Sequence, residues 1–267
     1  MGFLRVTDND LILYRYLFEQ DFLTRNQIKN YVWEDLSNGH IDNRLARLTK
    51  ENYIKKHPDL SAGVGSVLMA GSGAVGLLNN DTIIDRMLNL KSSFINKRKF
   101  IRAYNDREKL NFARYNHDEY LNNVRFILEN FVEEYLSYRL LLVYNRNVED
   151  KEYKYTRPTP DALMRDNGRT YAIELENTLK QDFRYKEKIF KGYEKNDRVD
   201  TVFYICTSRS ILDNVNRLIK EFSPRKTSIY VIEYEKLMNA KEKFIAMVYK
   251  RKRNNNIEIL KKFTFHK

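Results

Sequence analysis

Three acidic side chains in the second half of the chain are spaced so that they can share one face of a β-sheet. Glu174 and Glu176 stand two residues apart in an apolar run, so both point to the side of the strand that Ala172 also occupies. Asp161 follows Pro160 at the start of the preceding strand. Carboxylates on a central strand are costly to bury unless something neutralises them, so this group needs a cation.

Two kinds of cation can meet that need. A hard divalent ion such as Mg²⁺ or Mn²⁺ takes oxygen ligands and keeps positions free for water and a phosphate group. Alternatively, each acid pairs with a nearby Lys or Arg at an exposed strand end. The spacing favours the metal site, with Asp161 and Glu174 as ligands, and leaves ion pairing open.

The residues around these acids carry a family resemblance. The segment PTPDALMRDNGRTYAIELENTLK resembles the PD-(D/E)xK signature of restriction-endonuclease-like nucleases, in which Asp161 and Glu174 match the metal-binding acids. The third position holds Glu176 where the common pattern has Lys, and such a variant also occurs among active members. The resemblance implies a metal-dependent endonuclease with Asp161, Glu174 and Glu176 as catalytic residues.

The same resemblance implies two helpers. Lys180, one turn into the next predicted helix, takes the place of the missing motif lysine as a catalytic residue that stabilises the developing phosphate charge. Glu129 or Glu133, on the preceding helix, completes the metal shell.

The chain as a whole resembles a narrower group, the replication-relaxation family of plasmids, which overlaps the MOBC-type relaxases. The matching stretches lie within about residues 8–235 and comprise the N-terminal helices, His117 at the start of a long helix, RPTPDALM, AIELENT and FRYKEKIFKGYE. The resemblance implies action on plasmid DNA, in transfer-origin nicking or in replication control.

The elements that must position the acids follow from periodicity. The second half predicts a helix over 117–138, strands over 140–144, 161–164 and 170–176, a helix over 180–196, a strand over 201–206, a helix over 211–222 and a strand over 229–232. The turn Asp166-Asn167-Gly168 predicts a hairpin. An antiparallel start followed by α/β alternation predicts a mixed sheet flanked by helices, so the fold class is α/β or α+β with a restriction-endonuclease-like sheet.

The first half predicts three short helices followed by a strand. Asp8 or Asn9 caps the first helix, Thr24 and Gln27 have the capping-box spacing, and Ser37 precedes the third helix. The run RLARLTKENYIKK resembles the recognition helix and first wing strand of winged helix-turn-helix domains. The predicted DNA-binding residues are His40, Asn43, Arg44, Arg47, Lys50, Lys55 and Lys56. The alternative is a helical module for protein contacts.

Three further segments have a less specific pattern. Gly71 to Gly76 matches G-x-G-x-x-G, but a nucleotide site also needs a βαβ unit, which does not follow, so Val67 to Met69 is interpreted as the second wing strand. A basic stretch, residues 91–109, predicts a helical connector or a DNA-tracking surface. The tail, residues 241–267, predicts a β-hairpin with cationic ends.

Composition sets the class of partner. The chain of 267 residues has 48 Lys and Arg against 36 Asp and Glu, a net charge of +12, which favours nucleic acid or an anionic membrane surface. With no signal peptide, no apolar span and the single cysteine Cys206, we expect a cytoplasmic protein. The predicted domains are a winged helix (1–85), a basic helical connector (86–115), the nuclease-like domain (116–240) and a basic extension (241–267).

Two functions therefore stand side by side. The first is a DNA-binding nickase of plasmid or mobile-element DNA that uses Mg²⁺ or Mn²⁺. The second is a non-catalytic accessory factor for replication, transfer or transcription, in which the nuclease-like domain serves dimerisation or partner docking. Expected partners are double-stranded plasmid DNA and a relaxosome or replication protein, and a homo-oligomer is open.

Overall fold

The structure is a computed structural model that describes residues 5–57, 66–89, 114–146, 159–196, 198–222, 227–251 and 257–266. The chain divides into two compact units, residues 1–122 and 123–267, and the division falls within one helix, Tyr115–Leu128. The predicted boundaries at residues 85 and 240 fall elsewhere. Most of the predicted connector lies outside the described residues.

The first unit combines helices with a small antiparallel sheet. The sheet has the order β1-β3-β2, with Leu23 opposite Leu68 and Ile54 opposite Ala70. Its elements are α1 (Asp8–Gln20), β1 (Leu23–Thr24), α2 (Arg25–Gln27) continued by a π-helical turn (Ile28–Val32), α3 (Asn38–Lys50), β2 (Ile54–Lys56), β3 (Val67–Ala70), α4 (Ser72–Leu77) and α5 (Asp81–Asn89).

Side-chain caps set where these helices begin. The predicted capping box of Thr24 and Gln27 is confirmed. The prediction that Asp8 or Asn9 caps α1 is wrong, because Thr7 is the cap and exchanges hydrogen bonds with Asp10 in a second capping box.

Helix α3 follows the predicted pattern. Ser37 caps it, with its hydroxyl accepting from the backbone N–H of His40. Ile41, Leu45 and Leu48 are buried on one stripe, as predicted.

The G-x-G-x-x-G segment is explained by close packing between backbones. A Cβ at Gly71 would lie 2.2 Å from the carbonyl oxygen of Asn52, and Gly73 donates its backbone N–H to that same oxygen at 2.8 Å. Gly76 has open space around it. The glycines therefore let the start of α4 pack on the turn that follows α3.

The second unit is built on a seven-stranded mixed sheet of order β10-β9-β8-β7-β6-β5-β4. Strands β6, β7 and β8 run parallel, and the other neighbouring pairs are antiparallel. Its elements are the part of α6 (Tyr115–Leu128) that follows residue 122, β4 (Glu134–Ser137), α7 (Tyr138–Arg146), β5 (Ala162–Asp166), β6 (Arg169–Glu176), a π-helix (Arg184–Phe190) continued by α8 (Lys191–Glu194), β7 (Thr201–Cys206), α9 (Arg209–Phe222), β8 (Ser228–Glu233), α10 (Tyr234–Met238), β9 (Lys243–Arg251) and β10 (Ile257–His266).

The hairpin between β5 and β6 is confirmed. Asn167 and Gly168 both have positive φ, 50° and 71°, which is the backbone of a two-residue type I′ turn. This turn sets the register in which Leu163 lies opposite Ala172. The mixed sheet that the sequence predicted therefore starts as an antiparallel meander and continues with parallel strands.

Two predicted elements next to this hairpin are wrong. The helix predicted over 117–138 ends at Leu128, where the side chain of Asn130 donates to the carbonyl of Phe126 at 2.7 Å, and β4 follows. The strand predicted over 140–144 is instead helix α7. A short apolar run has no periodicity that separates a buried helix from a buried strand.

Two boundaries also differ from their prediction. The helix after β6 begins at Asp182 and is largely π-helical, so Lys180 lies in the loop before it. The predicted tail hairpin is confirmed as β9 and β10, but these strands extend the seven-stranded sheet through β8. Within the part of the chain that the structure describes, every helix is too short or too polar to cross a bilayer.

Candidate functional site

Strand β6 carries the two glutamates of the predicted site into the interior. It is buried from Tyr171 to Glu176, with β5 on one side and β7 on the other. Glu174 is 7% exposed and Glu176 is fully buried. Together with Asp161 and Lys180, these two residues form what we call the acidic cluster.

Glu174 is held by a tyrosine. The hydroxyl of Tyr193, on α8, donates a short hydrogen bond to Oε1 of Glu174. Burial, reinforced by the charge of Asp161, raises the pKa of Glu174 to about 8, against the opposing effects of Lys180 and Tyr193. The Glu174 carboxyl is therefore largely protonated below that pH.

Glu176 is held by Lys180. The ammonium of Lys180 lies 2.5 Å from Oε1 of Glu176 and 5.8 Å from the centre of the Tyr185 ring. The other carboxylate oxygen, Oε2, is buried, and the buried hydroxyl of Tyr185 interacts with the same carboxyl group. Burial raises the pKa of Glu176, and Lys180 opposes that rise. Lys180 thus neutralises a buried acid, whereas the sequence predicted that it would stabilise negative charge on a phosphate group.

Asp161 lies immediately before β5 and is bound to the neighbouring strand. Its Oδ2 accepts from the backbone N–H of Leu175 at 2.9 Å, and its own N–H donates to the carbonyl of Ile173 at 3.0 Å. It acts electrostatically on Glu174 and Glu176, so the structure brings the three predicted acids into one cluster.

Glu129 is paired with an arginine. It follows α6, and its Oε2 lies 3.5 Å from Nε of Arg125. Both Glu129 and Asp161 act electrostatically on Tyr135 of β4, whose pKa is raised mainly by burial and lowered by Arg125. Glu129 is therefore paired with Arg125, whereas the sequence predicted that it would bind a metal ion.

The chemistry of the cluster can be compared with the needs of a divalent ion. Carboxylate oxygens are suitable ligands, and burial is the main reason that the pKa of both glutamates is raised, an effect that a bound cation would oppose. Among the residues that the structure describes, however, no three His, Cys, Asp or Glu side chains are arranged to hold one metal ion. Protein donors occupy one oxygen of each acid instead, so the Mg²⁺ or Mn²⁺ site stays a prediction.

Aromatic residues that the sequence did not assign to the site explain its desolvation. Tyr185, Tyr193 and Tyr204 are fully buried, and all three interact electrostatically with the glutamates. Sequence alone had no means of finding Tyr204, because a tyrosine in a buried parallel strand has the pattern of an ordinary core residue.

In the first unit, six of the seven predicted DNA-binding residues are exposed. His40, Asn43, Arg47 and Lys50 are exposed on α3, and Lys55 and Lys56 are exposed on β2. We call these six residues the α3 surface.

Arg44 is the exception. Its Nε donates to Oδ1 of Asp10 at 2.9 Å, and its Nη2 donates to Oδ2 of Asp10 and to the carbonyl oxygen of Arg5. Asp10 is fully buried. Arg44 therefore neutralises an interior charge, and its predicted role in DNA binding gives way to a structural one.

A groove of about 490 Å³ lies between α3 and the β2–β3 hairpin. Lys50 and Lys56 line it from the two sides, with Arg25 and Asp42 also in its wall. Arg25 and Asp42 form a bidentate pair at 2.6 and 2.8 Å, so the charge of Asp42 in the groove wall is neutralised within the protein.

Comparisons with known proteins give no match for the chain. No protein-family model matches it, and neither a curated protein nor a solved structure does. The resemblance to the replication-relaxation family therefore remains an expectation from the sequence motifs.

Proposed function

We propose that the protein binds double-stranded DNA through its first unit, as a winged helix-turn-helix with α3 as the recognition helix. The α3 surface carries the proposal, because it combines cations with the amide of Asn43 and the imidazole of His40 on one exposed helix. Amide and imidazole groups read base edges, and the cations of α3 and β2 contact phosphates.

The order of elements supports this assignment. Three helical segments precede an antiparallel pair, β2 and β3, and the short β1 joins the same sheet. Lys55 and Lys56 lie on β2 beside α3, where a wing would meet the DNA backbone.

Selection from a randomised duplex library tests the proposal. The chain should enrich a duplex sequence, and Asn43→Ala should weaken binding to that duplex by about 5- to 150-fold, the worth of one bidentate base contact. Affinity for an unrelated duplex should not change. Asn30→Ala, at another exposed asparagine of the same unit, is the matched control. An unselective chain, or equal effects of the two variants, would refute the proposal.

Metal-dependent nicking is the second candidate, for a restriction-endonuclease-like second unit acting on plasmid or mobile-element DNA. The clustering of Asp161, Glu174 and Glu176 on a mixed sheet favours it. The contacts of Lys180 and Tyr193 oppose it, because they occupy carboxylate oxygens that a metal would need. Without nicking, the protein is a DNA-binding accessory factor.

A supercoiled plasmid separates these two outcomes. If the second unit cuts, relaxed plasmid should accumulate with Mg²⁺ or Mn²⁺ and should vanish with Asp161→Asn. Asp213→Asn, at an exposed aspartate of α9, is the control and should leave nicking unchanged. Site-specific binding without relaxation in either metal would assign the protein to the accessory class.

A further inference from the structure

Two large apolar side chains are exposed beside the acidic cluster. Leu179 is 56% exposed and Phe183 is 65% exposed, and both lie within three residues of Lys180. Among the described residues, Ile245 on β9 is the other large apolar side chain with such exposure, at 44%. Leu179 and Phe183 stand four residues apart, so two large exposed apolar side chains occur in one short segment rather than scattered singly.

The segment that carries them is fixed at several points. Asp182 accepts from Arg217 of α9 at 2.9 and 3.0 Å, and Lys180 contacts Glu176 at 2.5 Å. Tyr185 is fully buried. Phe183 is thus displayed between two anchored residues.

The surroundings of Phe183 are cationic. Arg184 and Lys186 are exposed in the residues that follow it, and the ammonium of Lys186 lies 5.0 Å from the centre of the Phe222 ring. The nearby acids are neutralised within the protein, Asp182 by Arg217 and Glu187 by Lys191. An anionic partner with flat apolar faces fits such a surface.

We propose that Leu179 and Phe183 form a platform on which an unpaired DNA base stacks beside the acidic cluster. An aromatic ring flanked by cations is the usual way in which proteins hold single-stranded nucleic acid, since the ring stacks on a base and the cations meet the backbone. A duplex keeps its base faces stacked inside, so the partner is a single strand or a melted segment. This inference rests on the proposed DNA binding.

Fluorescence anisotropy of the full chain with a single-stranded DNA oligonucleotide tests the platform. An oligonucleotide of about 20 nucleotides is long enough to span one or two binding sites of the usual size for single-stranded DNA. Phe183→Ala should weaken single-strand binding about tenfold, and Leu179→Ser should weaken it less. Phe183→Trp should retain binding, and its indole emission should be quenched by the oligonucleotide. The sole native tryptophan, Trp33, is buried and gives a steady background.

Ile245→Ala is the matched control, since it removes an exposed apolar side chain elsewhere in the same unit. Affinity for duplex DNA, measured in the same way, separates duplex binding by the first unit from single-strand binding by the platform. Phe183→Ala should leave the duplex affinity unchanged. Failure of the parent chain to bind duplex DNA refutes only the proposed function of the first unit. Unchanged single-strand binding in Phe183→Ala, or no single-strand binding by the parent, overturns the platform. Self-association of the parent that Phe183→Ala abolishes also overturns it and assigns the surface to a second copy.

Discussion

At the scale of single residues, similar side chains on one helix have opposite roles. Arg44 and Arg47 lie three residues apart on α3 and have the same charge. Arg44 is partly buried against the fully buried Asp10, whereas Arg47 is exposed. The sequence grouped the two because spacing does not reveal that the partner of Arg44 lies 34 residues earlier in the chain.

This difference predicts that the same substitution at Arg44 and at Arg47 affects different properties, stability in the first case and DNA binding in the second. Arg44→Met should lower the free energy of unfolding by about 2–3 kcal/mol. This is at or below the lower limit for breaking a buried ion pair, because Arg44 is partly exposed and Thr7 still donates to Asp10. Arg47→Met should leave stability within about 0.5 kcal/mol and weaken DNA binding. Urea unfolding and duplex anisotropy measure the two effects, and equal stability of both variants would contradict the assignment of Arg44.

A second prediction at this scale concerns pH. Glu174 has a pKa raised from 4.5 to about 8, chiefly by burial, and it faces Asp161, Lys180, Tyr193 and Glu176. Between these two values the folded chain binds a proton that the unfolded chain has lost. The stability that this group contributes is therefore greatest at the acidic end and falls as pH rises through this window, by at most about 1.4 kcal/mol per pH unit.

Glu174→Gln should remove this pH dependence, because glutamine cannot ionise. Urea unfolding is measured for both proteins in the presence of a metal chelator. The stability of Glu174→Gln should decline less steeply than that of the parent between about pH 5.5 and about pH 7.5. Glu235→Gln, at an exposed glutamate of α10, should keep the parent slope. Equal slopes for the parent and Glu174→Gln in this window would show that Glu174 is already ionised when folded.

At the scale of elements, the sequence predicted those segments whose signals are local. The capping box at Thr24, the amphipathic stripe of α3 and the Asn167-Gly168 turn depend on neighbours within a few residues, and all three are confirmed. The missed elements depend on tertiary packing. Strand β4 and helix α7 share an apolar stretch in which burial, not periodicity, decides the secondary structure.

The candidate site follows the same division. That Glu174 and Glu176 share a face came from the two-residue repeat of a strand. The partners of these glutamates could not be predicted from that repeat. Tyr193 contacts Glu174 from a helix that is remote in sequence, and Lys180 lies in a loop because the next helix begins two residues later than predicted.

The glycine segment gives a prediction about elements. Gly71→Ala should lower the free energy of unfolding by about 2 kcal/mol or more, because its Cβ would lie 2.2 Å from a backbone oxygen of Asn52. Gly76→Ala should raise it by about 0.5–1 kcal/mol, because the space is open and alanine favours helix α4. Thermal unfolding measures both, and a nucleotide-dependent rise in melting temperature would instead support a phosphate-binding loop.

At the scale of the whole molecule, the net charge of +12 creates a competing explanation for DNA binding. A diffuse positive field attracts DNA without any dedicated surface. The α3 surface, in contrast, has four exposed Lys and Arg residues on two elements that contact each other, Arg47 and Lys50 on α3 and Lys55 and Lys56 on β2. The two explanations differ in which cations control the salt dependence.

Two double variants with equal net charge decide between them. Arg47→Ala with Lys50→Ala removes two cations of the α3 surface, and Lys220→Ala with Lys241→Ala removes two exposed cations of the second unit. For the parent, four phosphate contacts give a slope of log K against log salt of about −3 to −4. The first pair should reduce the magnitude of that slope by about 2, and the second should leave it unchanged. A localised contact releases counterions only where its own cations meet phosphates. Equal reductions in the two double variants would therefore mean that DNA is attracted by the net positive charge of the whole protein and that α3 has no special part in binding.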